Sequence, residues 1–206
     1  MLAWRGFRLP RGTPAWCNGR VDDESFSSLQ GQLLIAAPSL VDTNFWRTVV
    51  LVAEHSDEGA MGLVLNRPLD VLVAEAVEAL AMLVASDEPV FQGGPVAPEE
   101  VVALAEFADP ELAAEFTFTE IAFIGADPDI EELAGAISRA RVFAGYAGWG
   151  AGQLEAELSE QAWIIEPALP DDVFAEEPES LWSQTLRRRG GVASLIALMP
   201  PDPSMN

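Results

Sequence analysis

A single histidine is the side chain in this chain best suited to proton transfer. The 206 residues include one His, one Cys and one Tyr. His55 follows an apolar run that ends in Glu54, and it precedes the acidic turn at residues 56–58. Because imidazole titrates near neutral pH, His55 among carboxylates could act as a general base or as one metal ligand. The same spacing also fits a turn histidine that hydrogen-bonds a hairpin.

The rest of the inventory excludes several kinds of chemistry. All 11 basic residues other than the histidine are arginines. A phosphate-binding Walker A loop and a lysine Schiff base both require lysine, so both are excluded. The one cysteine, Cys17, allows no intramolecular disulfide and no cysteine metal cluster. We therefore predict no catalytic residue, metal or cofactor, and the cysteine usage favours a reducing, cytoplasmic compartment.

Two arginines of the main body are candidates for binding an anion. Arg67 follows Asn66 at the end of a predicted strand, and Arg47 lies in the turn-like segment before another. A guanidinium binds carboxylate or phosphate through two hydrogen bonds. With 33 acidic residues in the chain, an ordinary ion pair is the favoured alternative for Arg67.

The most unusual segment is glycine-rich and spans residues 145–155. It contains Tyr146, Trp149, Gln153 and Glu155 between a predicted strand and a predicted helix. A phosphate cradle would have this order, but the glycine spacing is not G-x-G-x-x-G, and Glu155 at the helix start would repel phosphate. Two interpretations stay open, namely tight backbone packing around the aromatic rings or a binding surface built on Trp149 and Gln153.

The net charge of the chain disfavours some classes of binding partner. The net charge is −22, and residues 21–206 carry 7 arginines against 33 acidic residues, a balance of −26. Such a body repels nucleic acids and anionic lipids, so direct nucleic-acid binding is disfavoured. No apolar run approaches the roughly 20 residues that span a bilayer. A protein partner or a small ligand is the expectation that remains, and the oligomeric state is open.

Hydrophobic patterns predict alternating strands and helices. Strands are predicted at 31–38, 48–55, 61–65, 89–92, 116–124, 141–146 and 163–166, with a hairpin turn at 57–59. Helices are predicted at 71–84 with Asp70 as cap, at a short segment from Asp109, from Asp127 with Arg139 and Arg141 near its end, from the glycine-rich segment to Glu160, and at 178–189. Residues 100–104 fit a strand or a helix equally well.

Three regions of the chain are distinguished. Residues 1–28 begin with a basic segment broken by Pro10 and Pro14, and we expect them to be a disordered or misassigned extension. Residues 29–199 are expected to form one domain. Residues 200–206 are expected to be a loose tail.

Several motifs together resemble the YqgE/AlgH family of bacterial proteins. They are GQLLIAAPSLVDTNFWRTVVLVAEHSDEGAMGLVLNRPL, FQGGPV, RVFAGYAGWGAGQLEAELSEQAWIIEPA and a late F-x₇-W pattern from Phe174 to Trp182, and they run in order from about Gly31 to Leu186. Thr43 departs from the proline typical of the family, and Cys17 lies outside the match. The matching motif positions are Arg47, His55, Gly62, Asn66, Arg67, Pro68, Gly93, Gly94, Pro95, Gly145, Tyr146, Gly148, Trp149, Gly152, Gln153, Leu154, Glu155 and Trp163.

The resemblance implies a mixed α+β fold, a bent, barrel-like β-sheet surrounded by helices, in a single cytoplasmic domain. It implies no known reaction, although some members are described as transcriptional regulators. Our first hypothesis is a non-enzymatic regulatory or interaction protein. The alternatives are a DNA-binding regulator, disfavoured by charge, and a small enzyme that uses His55 with carboxylates. The candidate binding residues are Arg47, His55, Asn66, Arg67, Tyr146, Trp149, Gln153 and Glu155.

Overall fold

Ten strands form a single mixed sheet in the computed structural model, which describes residues 27–108, 115–125 and 129–200. The strands are β1 Gln32–Ala36, β2 Val49–Ser56, β3 Gly59–Val64, β4 Pro68–Leu72, β5 Pro89–Gln92, β6 Val96–Phe107, β7 Glu115–Phe118, β8 Ile121–Phe123, β9 Ile137–Gly150 and β10 Trp163–Pro167. The helices are α1 Val73–Ala76, α2 Ile130–Ala136, α3 Gln153–Ser159, α4 Pro170–Val173, α5 Leu181–Arg189 and α6 Gly191–Ile196, with 3₁₀ turns at Glu78–Leu83 and Pro178–Ser180.

Strand β9 connects the two halves of the sheet. The strand order is β10-β1-β2-β3-β9-β6-β8-β7, with β4 and β5 attached beside β9. The first part of β9 pairs with β6, and its last four residues pair with β3. Gly145, where the register between β9 and β6 shifts, has a φ of +69°, which glycine adopts without a Cβ penalty. The sheet is open, with β10 and β7 at its ends, and the predicted mixed α+β class is confirmed.

Both faces of the central strands are buried. Leu33 and Ile35 of β1 face a core that includes α5 and α6, whereas Leu34 and Ala36 face a second core with Trp149 and Trp163. Because side chains alternate between the faces of a strand, burial on both faces explains the uninterrupted apolar runs in the sequence. A third core lies between β6, β9 and the segment from α1 to α2.

The hairpin predicted around residues 57–59 is confirmed as β2 and β3, but the helix predicted over 71–84 is largely wrong. Asp70 lies within β4 and caps no helix. Strand β4 pairs with β5, with Leu72 opposite Pro89, and only α1 and a 3₁₀ turn follow. Pairing with a neighbouring strand therefore overrides the helical spacing of the apolar residues.

The structure also moves the boundaries of later elements. Arg139 and Arg141 lie in β9 and not at a helix end. Helix α2 is capped by Asp129, which accepts from the backbone N–H groups of Glu131 and Glu132. Residues 100–104 belong to β6, the strand predicted at 116–124 is the hairpin β7–β8, and α4 and α6 were not predicted. The predicted cap Asp127, the short helix from Asp109, residues 1–26 and residues 201–206 lie outside the described residues.

Candidate functional site

His55 is held between the start of the domain and helix α3. Its Nδ1 accepts the backbone N–H of Leu29 at 2.9 Å, and its Nε2 lies 2.8 Å from Oε1 of Glu155. Because Nδ1 accepts a hydrogen bond from the backbone, Nε2 is the ring nitrogen that donates to Glu155. The His55 side chain is only 2% exposed, whereas that of Glu155 is 47% exposed. The pair therefore joins the end of β2 to the first turn of α3.

A second group lies where α3 meets β9 and β10, and we call it the indole–carboxylate cluster: Trp149, Gln153, Glu157 and Trp163. Oε2 of Glu157 accepts the indole N–H of Trp149 at 3.0 Å and that of Trp163 at 2.8 Å. Its Oε1 accepts from Nε2 of Gln153 at 3.0 Å, and the Gln153 side-chain oxygen accepts the backbone N–H of Gly150. The cluster fixes α3 on the end of β9.

Sequence reasoning missed Glu157 as a site residue. The signal for it was its spacing of four residues from Gln153, which places both side chains on one face of the helix. Both indole rings of the cluster are buried, with Trp149 6% exposed and Trp163 5% exposed. Phe45 packs against both rings, with centroid distances of 6.2 and 5.6 Å. Trp149 is therefore part of an aromatic core.

Asn66 organises the segment that carries Arg47. Its Oδ1 accepts the backbone N–H of Val49 at 2.9 Å, and its Nδ2 donates to the carbonyl oxygen of Arg47 at 2.9 Å. Arg47 itself has a φ of +55°, a strained value for a residue with a Cβ. The amide of Asn66 thus supports an unusual backbone conformation before β2.

The described residues place no carboxylate within ion-pairing distance of Arg47 or Arg67. Nη1 of Arg47 donates to the carbonyl oxygens of Met199 and Pro200, both at 2.9 Å. Its guanidinium lies 4.0 Å from the ring centroid of Trp182. Burial lowers the pKa of both arginines below the usual arginine value.

Among the described residues, no carboxylate forms the ion pair with Arg67 that the sequence favoured. Its Nη2 donates to the carbonyl oxygens of Trp46 at 3.1 Å and Thr43 at 3.4 Å. Backbone carbonyl oxygens of the loop before β2 therefore accept the hydrogen bonds that we expected a carboxylate to accept. The remaining guanidinium nitrogens of Arg67 have no acceptor among the described residues, and the same holds for Nε and Nη2 of Arg47.

The candidate residues form two neighbouring groups. His55, Trp149, Gln153 and Glu155 lie around α3, whereas Arg47, Asn66 and Arg67 lie around the loop before β2, and Phe45 of that loop packs against Trp149. Tyr146 is half-buried on β9 and packs against the core that includes α5 and α6.

A cavity of about 420 Å³ lies elsewhere, and none of the eight candidate residues lines it. Its walls come from the 3₁₀ turn Glu78–Leu83, α2 and the first part of β9. The charged groups there are matched, since Arg141 pairs with Glu88 at 3.0 Å and Arg139 pairs with Glu106 at 2.9 Å. Among the described residues, no group of three His, Cys, Asp or Glu side chains could hold a metal ion.

These features define a single-domain α+β protein whose polar motif residues bind one another and the backbone. A family model described as AlgH-like (DUF179) matches residues 33–194. The chain therefore belongs to the AlgH-like family. In the part of the chain that the structure describes, no helix has the length and apolar character needed to cross a membrane.

Individual relatives and solved structures agree with this assignment. A UPF0301 protein of Streptomyces coelicolor is 44% identical over 186 residues, covering 87% of this chain and 96% of the relative. A UPF0301 protein of Chlorobaculum parvum is 39% identical, covering 89% and 100%.

Two solved structures share the fold. The crystal structure of a Corynebacterium diphtheriae protein has a TM-score of 0.78 at 30% identity and covers 86% of this chain and 95% of its own. The solution structure of the AlgH protein from Pseudomonas aeruginosa has a TM-score of 0.64 at 32% identity, covering 88% and 100%.

Proposed function

We propose that this protein is a non-catalytic regulatory protein that acts by binding another protein. The surface for that contact is formed by Trp46, by Val192 and Leu195 on the outward side of the C-terminal helix α6, and by Leu198 and Met199 in the turn that follows it. We call it the C-terminal surface. The observation that carries the proposal is this exposed apolar surface in a chain whose candidate catalytic groups are engaged in internal bonds.

The exposure of these side chains is high. Val192 is 74% exposed, Leu195 68%, Leu198 70% and Met199 47%, and Trp46 is 36% exposed. Val192 and Leu195 lie three residues apart on one side of α6, Leu198 and Met199 follow in the next turn, and Ala193, Ile196 and Ala197 pack into the core. Contiguous exposed apolar residues of this kind are typical of protein-binding sites.

The polar motif residues support a structural role for themselves and not a catalytic one. His55 is the only histidine of the chain, and both of its ring nitrogens are engaged, by Leu29 and by Glu155. A general base needs a free acceptor nitrogen within reach of substrate. This arrangement argues against the small enzyme considered from the sequence.

Charge argues against direct DNA binding. Arg139, Arg141, Arg188 and Arg189 are paired with carboxylates, so four of the seven arginines of the body are neutralised. A typical DNA-binding protein neutralises about 6–10 phosphates. A regulatory effect on transcription would then be indirect, through a protein partner.

A pair of matched variants tests the proposal. Leu195 and Met82 are each 68% exposed, but Met82 lies on the 3₁₀ turn beside the cavity. We expect Leu195→Ser to lose a specific protein from quantitative affinity purification in the source cells, and Met82→Ser to retain it. Both variants should fold normally, because surface substitutions change stability by about 0.5 kcal/mol or less. Equal recovery of every co-purified protein with both variants would contradict the proposal.

A further inference from the structure

We infer that the C-terminal surface binds a protein segment in which aliphatic side chains are flanked by carboxylates, with the carboxylates bound by Arg47 and Arg67. This inference rests on the proposed function and specifies its partner. It depends on three features. They are the exposed apolar residues of the C-terminal surface, the two arginines beside them, and the net negative charge of the rest of the chain.

The two arginines adjoin the exposed apolar residues of the C-terminal surface directly. Nη1 of Arg47 donates to the carbonyl oxygens of Met199 and Pro200, at the end of that surface. The Arg47 guanidinium also lies 5.6 Å from the ring centroid of Trp46. Nη2 of Arg67 donates to the carbonyl oxygen of Trp46. Trp46 is thus in contact with both arginines, so cations and apolar side chains form one continuous surface.

Both guanidinium groups retain donors for a ligand. Nε and Nη2 of Arg47 and Nε and Nη1 of Arg67 have no acceptor among the described residues. Trp182 and the backbone carbonyls hold the two groups in place, which reduces the entropy lost on binding. A carboxylate is the planar acceptor that such a fork fits.

Electrostatic repulsion argues against several possible partners for the C-terminal surface. If two copies of the chain paired through this surface, two bodies that each carry a net charge of −22 would be brought together. An anionic membrane would be repelled over a broad area by the same net negative charge. A short acidic segment of a partner protein would bring only a few negative charges, and these would lie beside the two arginines.

The composition of the surface supports a protein partner. Trp, Met and Arg are enriched at protein interfaces, and Trp and Arg dominate binding hot spots. The C-terminal surface contains one Trp, one Met and three aliphatic residues, with two Arg beside them. Lysine is absent from the whole chain, so arginines supply the positive charge at this point of contact.

The test uses two labelled peptides of about 16 residues with the same leucine-lined helical face. In one, glutamates flank the leucines, and in the other each glutamate is replaced by glutamine. By fluorescence anisotropy with the full chain, we expect the acidic peptide to bind roughly tenfold more tightly, about 1.4 kcal/mol. Leu195→Ser should weaken both peptides, and Met82→Ser should weaken neither.

Two substitutions of Arg67 distinguish an effect of its charge from an effect on the structure of the loop before β2. Arg67→Gln should weaken the acidic peptide about fivefold and leave the glutamine peptide unchanged, while Arg67→Lys should retain most of the preference. If Arg67→Gln disturbed the loop, both peptides would weaken together, and binding by Arg67→Lys would still report on charge. Equal binding of both peptides to the unmodified chain would overturn the inference.

Two other results would also overturn it. One is a concentration-dependent dimer in sedimentation that Leu195→Ser abolishes, because the occupant would then be a second copy. The other is co-sedimentation with phosphatidylglycerol vesicles that Leu195→Ser abolishes. If Leu195 is needed to recover a partner from cells but the two peptides bind equally, the proposed function stands and only the acidic partner is excluded.

Discussion

The carboxylate of Glu157 satisfies three donors at once, and two of them are buried indoles. Replacing it with alanine would leave the N–H groups of Trp149 and Trp163 without an acceptor in the aromatic core. A buried donor that loses its partner costs about 1–3 kcal/mol.

We expect Glu157→Ala to lower the free energy of unfolding by about 3 kcal/mol, because two donors lose their acceptor. Urea denaturation followed by tryptophan fluorescence measures this. Glu160→Ala, an exposed residue at the end of the same helix, is the control and should change stability by less than about 0.5 kcal/mol. Similar losses for both variants would contradict the role of the cluster.

At the scale of the elements, an ion pair joins β6 to β9. Glu106 accepts two hydrogen bonds from Arg139, at 3.0 and 2.9 Å, and a further one from Ser138. The bonds from Arg139 and then Ser138 lower the pKa of Glu106 below its usual carboxyl value. Protonation of Glu106 in the unfolded chain therefore begins at higher pH than in the folded chain, so its stabilising effect is present above the usual pKa and is lost as the pH falls through the folded pKa.

We expect Glu106→Gln to reduce the free energy of unfolding at pH 7 by about 1 kcal/mol, a value kept small because Arg139 is 37% exposed. Below the usual carboxyl pKa of 4.5, the difference from the unmodified chain should shrink. Urea denaturation across pH 3 to 7 would show this convergence, about 1 kcal/mol at most. Glu120→Gln, in an exposed turn, should show no such trend, and a constant difference for Glu106→Gln would contradict the assignment.

Two glycines with opposite surroundings provide another comparison between elements. A Cβ at Gly93 would lie 2.2 Å from the carbonyl oxygen of Gly145, where β5 approaches β9, whereas a Cβ at Gly135 in α2 meets nothing within 4 Å. We expect Gly93→Ala to cost about 3 kcal/mol through backbone displacement, and Gly135→Ala to stabilise by about 0.5 kcal/mol through helix propensity. Thermal unfolding should shift in opposite directions, and a neutral Gly93→Ala would show that the two strands can separate.

The elements that could be predicted from sequence are those specified locally. The β2–β3 hairpin combines apolar strands with a short acidic turn, so its position follows from neighbouring residues. The helix predicted over 71–84 fails because β4 is stabilised by β5, which lies about 20 residues further along the chain. The shift in register at Gly145 of β9 depends on pairing with β6, a distant strand, and no local pattern contains that information.

The contacts in the candidate site also divide into those that the local sequence predicts and those that depend on distant residues. That His55 would be near carboxylates could be predicted, but its partner Glu155 lies 100 residues away. They meet because His55 pairs with Ala60 across β2 and β3, and Ala60 pairs with Trp149 on β9, just before α3. Arg67 shows the opposite case, because an excess of acids predicts an ion pair while the nearby backbone carbonyls are the actual acceptors.

At the scale of the whole molecule, strong negative charge coexists with one apolar surface that carries arginines. The motif residues hold α3 and the loop before β2 in place, and that loop presents Trp46 and Arg47 next to α6. The family motifs therefore support the C-terminal surface from within. We expect this distribution of charge to oppose self-association and to favour a contact restricted to a small area.

Site-specific photo-cross-linking tests this account most directly. The full chain would be expressed in its source cells with Leu195→benzoylphenylalanine, or with Met82→benzoylphenylalanine as the equally exposed control. We predict a discrete cross-linked species at position 195 that contains one different protein and is absent at position 82. No adduct at position 195, or the same adduct at both positions, would contradict a partner-binding role for the C-terminal surface.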